Sequence, residues 1–489
     1  MFRNLLVMML AIMLAFVLFG CEGEEGPQGP AGPQGEVGED GEDGEDGKDA
    51  TTDPYTFIGN NGDECAHCHG ATVDGWMGTA HPNAYADLEA EDQENPYCLQ
   101  CHVTGVDEMV AFGATEFPGG EDMYGYDNYF GVEGDSAAMR RAALEGVQCE
   151  ACHGALGPLD GVGAHRAEVG LSTIWEDVGG EIEFESTCMP CHERQLEEWQ
   201  MSGHANAGGN LEGFREEHYA GGSCAPCHTG EGFIAANDPA HADYDGPYSW
   251  VGCQTCHDPH NANNPGQLRN VDPVYVEFHP GYDPEEDGEM GTMDGYFAGQ
   301  TCAQCHHARR DTDNVLNQIA EGYGHFGPHS SPQMDMFIGY GCYEIDGYEY
   351  ERENSHQNVL SNEEENGCVA CHMVRFEELH GEEAEHVYHQ FAPEGAACYG
   401  CHSLDPGDFD KGGVQTDTEA KMNELAAALG YTDYMDFEAN FDSQADGVTV
   451  PEREAAYALV FVISDGSHGI HNPSYSMDLL QNAIDHLAE

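Results

Sequence analysis

Nine copies of the five-residue pattern CxxCH lie between residues 65 and 402, and they use 18 of the 20 cysteines. This pattern attaches haem c: the two sulfurs form thioether bonds with the porphyrin, and the histidine binds the iron. Two residues between the cysteines let both sulfurs reach one edge of the ring, while the adjacent histidine turns beneath it. We therefore predict nine covalent haems in place of disulfide bonds.

The motifs are numbered 1 to 9 in chain order. The predicted attachment cysteines are Cys65 and Cys68, Cys98 and Cys101, Cys149 and Cys152, Cys188 and Cys191, Cys224 and Cys227, Cys253 and Cys256, Cys302 and Cys305, Cys368 and Cys371, and Cys398 and Cys401. The predicted proximal iron ligands are His69, His102, His153, His192, His228, His257, His306, His372 and His402. Outside the motifs, Cys342 could be a free thiol or form an intermolecular disulfide.

An internal repeat surrounds the first six motifs. Trp76 and His81 follow Cys65 by the same offsets at which Trp199 and His204 follow Cys188. The strings GWMGTAHPNA and EWQMSGHANA align without a gap, and each is followed by two further motifs of similar form. Motifs 1 to 3 and motifs 4 to 6 are therefore predicted to be a duplicated three-haem module.

This repeated pattern, together with CLQCHVTG and GVQCEACHG, resembles the multihaem c-type cytochromes of the nitrifier tetrahaem and hydroxylamine-oxidoreductase-like group. The resemblance covers roughly residues 60 to 265 and includes the later His165. It implies that His81 and His204 are sixth ligands of haem irons. The C-terminal string DGSHGIHNPSYSMDLLQNAI resembles the closing, ligand-bearing helix of multihaem nitrite-reductase relatives, which implies the same role for His471.

The chain has enough histidines for two at every iron, because only nine of its 27 are the proximal histidines that end the motifs. For each candidate, the alternative is a surface histidine or a hydrogen-bond partner of a ligand. The predicted sixth ligands are His81, His204, His165, His260, His389, His471, His356, His329 and His307.

The charge is strongly one-sided, with 91 acidic against 15 basic residues and a formal net charge of −76. Nucleic acid and anionic membrane surfaces are therefore poor partners. The acidic excess would attract cations, cationic redox partners or metal-bearing acceptors; alternatively, it is a solvated coat that maintains solubility in a saline habitat.

The N-terminus predicts export. Residues 1–20 carry Arg3 and an apolar run, and Leu18–Cys21 (LFGC) resembles a bacterial lipobox, in which Cys21 becomes the lipidated N-terminus of an anchored protein. An uncleaved membrane anchor is the alternative. Within residues 21–54, glycine occurs at every third position from Gly23 to Gly47, a collagen-like pattern. Because the later triplets are acidic, we favour an extended tether over a trimer, while an oligomer through this segment stays open.

The fold class predicted for the haem-bearing region is mainly α with extensive loops and little sheet, because stacked haems supply much of the core. The predicted divisions are the signal peptide (1–20), the tether (21–54), two three-haem modules (55–180 and 181–275), motifs 7 to 9 (276–410) and a helical segment (411–489). In the last of these, Asp417 and Thr418 could cap one helix, Pro451 begins a second, and a third runs to the C-terminus.

These features favour a nonahaem cytochrome that passes electrons outside the cytoplasmic membrane, with the outer membrane as the favoured location. The acceptor would be a metal, a chelate or a partner cytochrome. The alternative is a reductase or oxidase of a small nitrogen or sulfur compound, which needs a haem with an open sixth position. A lysine in place of a motif histidine often marks such a haem in the family, and the sequence contains no CxxCK. A structural or filament subunit built on the collagen-like segment is a third possibility.

Overall fold

The computed structural model describes residues 57–106, 109–117, 125–154, 174–178, 181–185, 187–206, 224–239, 242, 249–278, 291–353, 355–361, 366–376, 386–393, 395–398, 402 and 409–489. The predictions for the signal peptide, Cys21, the tether, His165 and Cys401 lie outside these residues. The helices are α1 (Asp63–Trp76), α2 (Pro96–His102), α3 (Asp135–Leu144), α4 (Cys149–His153), α5 (Glu193–Gln200), α6 (Ala225–His228), α7 (Gly230–Asn237), α8 (Cys253–Cys256), α9 (Ala298–Ala303), α10 (Thr312–Glu321), α11 (Gln333–Ile338), α12 (Ser355–Leu360), α13 (Val369–His372), α14 (Val414–Ala428), α15 (Tyr434–Asn440), α16 (Val450–Asp465) and α17 (Pro473–Leu487).

The CxxCH motifs coincide with single turns of helix. From motif 4 onward, the backbone N–H of each motif histidine donates to the carbonyl oxygen of the first cysteine of its motif, at 2.7–3.2 Å. This bond closes one α-helical turn, in which residues three and four apart share a face. In motifs 4 to 8, both thiols and the imidazole therefore point to the same side. At motif 1 the backbone leaves the helical region at His69, which has φ −117° and ψ 36°.

Sheet is confined to short antiparallel pairs in the described part of the chain. The strands are β1 (Ile174–Val178), β2 (Glu181–Glu185), β3 (Val274–Tyr275), β4 (Thr292–Met293), β5 (Arg375–Phe376) and β6 (His386–Val387). They pair as β1 with β2, β3 with β4, and β5 with β6. The prediction of a mainly helical fold with long loops and little sheet is confirmed.

The C-terminal helices form an apolar core of their own. Helices α14, α16 and α17 pack together and against α10, and Tyr457, Phe461 and Leu480 are fully buried among them. Helix α16 begins with a capping box in which Thr449 and Glu452 exchange hydrogen bonds, and Pro451 occupies its first turn as predicted. This packing gives the last 80 residues a rigid frame that does not depend on a haem motif.

The start of α14 corrects one prediction. The helix begins at Val414, and the carboxylate that binds its first free N–H groups is that of Asp410, at 2.7 Å from the nitrogen of Gln415. Asp417 and Thr418, predicted as caps, lie one turn inside the helix, where Thr418 is buried. None of the helices described is long and apolar enough to span a bilayer.

Candidate haem-binding site

The duplicated segments have the same local geometry. The backbone N–H of His81 donates to the Thr79 hydroxyl at 3.3 Å, and that of His204 donates to the Ser202 hydroxyl at 3.2 Å. Each histidine then begins a short 3-10 turn. A hydroxyl two residues ahead fixes the backbone in a tight turn, which explains the [ST]xH spacing. The preceding tryptophans are both buried at 5% exposure.

Seven of the predicted sixth ligands each face one motif histidine. The distances between ring centroids are 6.4 Å for His81 and His192, 6.1 Å for His153 and His260, 6.0 Å for His204 and His306, 6.3 Å for His228 and His329, 6.3 Å for His257 and His389, 6.2 Å for His356 and His402, and 6.2 Å for His372 and His471. The partners are far apart in sequence and face each other through the tertiary fold.

This spacing fits a haem iron between the two rings. A ring nitrogen binds a first-row metal at about 2 Å, and the ring centre lies about 1 Å behind that nitrogen. Two imidazoles on opposite sides of one iron therefore have centroids about 6 Å apart. Within the described ranges, His, Cys, Asp and Glu form no cluster of three or more that would hold a free metal ion. The histidines occur as pairs, which suits an iron whose other four ligands come from a porphyrin.

Burial favours the neutral, metal-binding form of several of these imidazoles. It lowers the pKa of His204 to about 4, and the neighbouring His306 adds to the effect. Burial is also the main cause of the lowered pKa of His81, His192 and His257. A neutral ring nitrogen is the form that a metal requires, so the environment favours ligation without a competing proton.

One continuous cavity joins these sites. It is lined by all nine motif histidines and by the seven histidines that face them. His307 does not line it; its Nδ1 lies 2.8 Å from the carbonyl oxygen of Ala303, one turn back. The structure therefore does not bring His307 together with the paired histidines. Cys342 is buried at 3% exposure, which favours the free thiol over an intermolecular disulfide.

Motif 2 differs from the seven paired sites. Nδ1 of His102 lies 2.5 Å from the carbonyl oxygen of Ala84, and no other imidazole of the described residues faces its ring. His165, which was predicted as a sixth ligand, lies outside the described residues. His69 lines the common cavity.

The thiols of successive motifs approach each other closely. Pairs in hydrogen-bond contact are Cys65 with Cys149, Cys101 with Cys191, Cys188 with Cys253, Cys227 with Cys305, and Cys302 with Cys368. Burial and the nearby Cys188 raise the pKa of Cys152, and burial and the nearby Cys302 raise that of Cys256, so these thiols are also close neighbours. Motifs 1, 3, 4, 6, 7 and 8 are thus adjacent in that order, with motif 2 beside motif 4 and motif 5 beside motif 7. Burial and the nearby His471 both lower the pKa of His356. Because His356 faces the motif 9 histidine and His471 faces that of motif 8, motif 9 lies next to motif 8.

Several contacts to the outer ring nitrogens were not predicted. Nδ1 of His257 lies 2.7 Å from the Gly266 carbonyl oxygen. Nδ1 of His471 lies 2.5 Å from the carboxylate of Asp465. Burial alone would lower the pKa of His471, but attraction to Asp465 and the hydrogen bond with it raise that pKa. Such contacts orient a ligand, and the sequence carried no signal for them because they depend on how loops fold back.

Family models account for different parts of the chain. The cytochrome c554 and c-prime model matches residues 64–122 and 187–258, which are the duplicated segments. The cytochrome c552 model matches residues 349–489, and a doubled CXXCH motif model matches residues 246–274. The chain is a multihaem c-type cytochrome. The cytochrome therefore binds haem c covalently, as predicted.

Two solved structures are similar to this cytochrome over much of its length. The crystal structure of the outer cell wall cytochrome OcwA has 17% identity and a TM-score of 0.45, and the match covers 88% of this chain and 99% of that one. Cytochrome c nitrite reductase from Desulfovibrio desulfuricans has 17% identity and a TM-score of 0.27, over 54% of this chain and 64% of that one. No curated protein matches the sequence.

Proposed function

We propose that this cytochrome is a nine-haem electron conduit that works outside the cytoplasmic membrane. The proposal rests chiefly on the seven facing histidine pairs, each of which would supply two imidazoles to one haem iron and so leave no position for substrate there. Haem iron held in this way would supply one-electron redox chemistry, and the paired histidines would hold it in both oxidation states. The chain would hold and orient the rings.

The order of the motifs supports a route through the protein. Motifs 1, 3, 4, 6, 7, 8 and 9 form the row, and motifs 2 and 5 are side branches at motifs 4 and 7. The closest contacts include the Cys101 thiol, 3.7 Å from the carbonyl oxygen of Pro190, and the Cys368 thiol, 3.8 Å from that of Gly299. Neighbouring porphyrins attached at these thiols would lie nearly in contact, so an electron could enter at one end and leave at the other.

The location belongs to the same proposal. Residues 1–20 would direct export, Cys21 would carry a lipid, and residues 21–54 would tether the haem domain to a membrane, with the outer membrane favoured. The acceptor would be a metal, a chelate or a partner cytochrome, and the acidic excess favours cationic partners.

A second candidate function is favoured by one observation at motif 2. Among the described residues no imidazole faces His102, so this part of the chain supplies no sixth ligand to a haem there. A reductase or oxidase of a small nitrogen or sulfur compound needs an open sixth position.

Carbon monoxide distinguishes the two functions, because it binds ferrous haem only where a coordination position is open. The full-length cytochrome would be reduced and titrated with CO, with ferric EPR recorded on the same sample. A conduit with every iron six-coordinate binds none and is entirely low-spin. One CO per chain with one high-spin ferric signal supports the second function. CO binding at several haems would contradict the proposed pairs.

A further inference from the structure

The motif 8 site is distinguished by a buried carboxylate on the ring that faces its histidine. Oδ1 of Asp465 lies 2.5 Å from Nδ1 of His471, and the Asp465 side chain is fully buried. Its other oxygen, Oδ2, accepts hydrogen bonds from the backbone N–H of Ser467, at 3.2 Å, and from the Ser467 hydroxyl. The carboxylate is therefore held in a fixed position against the imidazole.

The fold makes this contact rigid from two sides. Asp465 is the last residue of α16, and Gly466 ends the helix with φ 74°, a left-handed conformation that favours glycine. The chain then returns so that the Ser467 hydroxyl accepts from the backbone N–H of His471 at 3.2 Å. On the other side, the Gln333 amide donates to the carbonyl oxygens of Ser464 and Asp465 at 3.1 and 3.4 Å.

Several other histidines at these sites contact neutral oxygens instead. Nδ1 of His257, His372 and His389 lies 2.7–2.9 Å from backbone carbonyl oxygens. Nδ1 of His306 lies 3.3 Å from the side-chain oxygen of Gln333. A carbonyl orients the ring, but it adds no full negative charge beside the iron.

The closest parallel to Asp465 is Asp258, and it differs in distance, exposure and charge balance. Its Oδ1 lies 3.5 Å from Nδ1 of His260, and its side chain is 21% exposed. Arg269 also approaches Asp258 at 3.5 Å and offsets its charge. Among the described residues, no Lys or Arg side chain forms an ion pair with Asp465. The field of Asp465 at the neighbouring ring is therefore less screened than that of Asp258.

We propose that Asp465 is a positioning residue that fixes His471 on the motif 8 iron and lowers the reduction potential of that haem. The inference rests on the proposed axial role of His471. A carboxylate hydrogen-bonded to the outer nitrogen makes an imidazole a stronger electron donor. Both this effect and the negative charge stabilise ferric over ferrous iron. Since motif 8 lies between motifs 7 and 9, Asp465 sets the energy of the step through which electrons reach motif 9.

Two variants of the full cytochrome separate the roles of the two residues. His471→Ala should keep all nine haems attached and convert one to a high-spin, CO-binding form, which identifies the motif 8 signal. Asp465→Asn keeps the shape of the side chain and removes its charge. It should leave that haem low-spin and unable to bind CO. At a fixed applied potential its ferrous-to-ferric ratio should rise about tenfold, which is about 59 mV for a one-electron couple.

The controls are Asp465→Glu, which should keep the parent potential, and Asp258→Asn, which should give a smaller shift at the motif 3 haem. Haem content and EPR g-values would be measured on each variant, so that a misfolded protein is recognised by lost haem or by general high-spin signals. If Asp465→Asn leaves all nine potentials and g-values unchanged, the residue is only structural and the inference is overturned. If His471→Ala stays low-spin, the axial assignment itself fails.

Discussion

The imidazoles of His204 and His306 lie 6.0 Å apart although two complete CxxCH motifs separate them in the chain. The same relationship joins His81 and His192, at 6.4 Å. In each case the histidine that follows the tryptophan of a module faces the motif three positions along, not the motif of its own segment. Under the proposed ligation, the first module would supply a sixth ligand to the haem of motif 4, and the second module would supply one to the haem of motif 7.

Loss of these histidines should open identifiable haems. We predict that His81→Ala opens the haem of Cys188 and Cys191, and that His204→Ala opens that of Cys302 and Cys305. Thioether attachment should be unaffected, because the cysteines and proximal histidines are unchanged. One haem in each variant should become high-spin in ferric EPR and bind one CO when reduced.

His325→Ala is the matched control for these variants, because His325 is exposed and its ring contacts Tyr323 and no other histidine described. It should match the parent spectrum. Unchanged low-spin spectra for His81→Ala and His204→Ala would contradict the ligand assignments. The repeated Trp-to-His segment would then contribute only to packing.

The sequence predicts the local turns that hold these histidines, but it does not predict which motif each histidine faces. The CxxCH turn and the [ST]xH turn are local, so both can be recognised from the spacing of residues in the sequence. Which iron each histidine faces depends on contacts between distant segments, and neither periodicity nor spacing records those contacts. The same reason explains Asp465, whose contact with His471 requires a particular return of the chain after α16.

Asp335 should make stability depend on pH. It is fully buried; Oδ2 accepts from the backbone N–H of Ala308 at 2.6 Å, while Oδ1 has no hydrogen-bond partner among the described residues. Burial raises the pKa of its carboxyl from 3.8 to about 7. The folded state therefore holds this proton more tightly than the unfolded state. The resulting stabilisation is complete below about pH 4 and is lost as the pH rises to about 7.

Asp335→Asn removes this dependence, since an amide can still accept from Ala308. At pH 8 the variant should be more stable than the parent, by up to about 4 kcal/mol, and near pH 4 the difference should be small. Thermal unfolding followed by far-UV circular dichroism at both pH values tests this. Asp313→Asn, at an exposed position of α10, should change neither midpoint appreciably. Equal stabilisation at both pH values would attribute the effect to packing.

The acidic excess should make electron transfer sensitive to salt. We expect the rate with a cationic acceptor such as hexaammineruthenium(III) to fall by about tenfold as ionic strength rises from about 10 mM to about 500 mM, because screening shortens the reach of the −76 charge. Ferricyanide is the matched anionic acceptor, and its rate should rise. Stopped-flow oxidation of the reduced cytochrome measures both. If neither rate depends on salt, the acidic residues do not attract redox partners, and the alternative of an acidic coat that maintains solubility in a saline habitat is favoured.

Cys21 should control membrane association. A diacylated N-terminus supplies enough buried methylene groups to hold a protein at a bilayer. We predict that Cys21→Ala releases the haem protein into the soluble fraction after cell lysis, with haem content unchanged. The control is Thr51→Ala, in the same N-terminal region, which should leave the distribution as in the parent. Retention of the Cys21→Ala protein in membranes would favour the uncleaved anchor.

The facing pairs also determine how the chain can be divided. Every point between His81 and His471 lies inside at least one pair: His81 with His192, His153 with His260, His204 with His306, His257 with His389, and His372 with His471. A fragment that ends anywhere in this interval separates two partners. Although the sequence repeats, neither copy is a self-sufficient building block, and the interlocked histidines make the haem region a single unit of assembly.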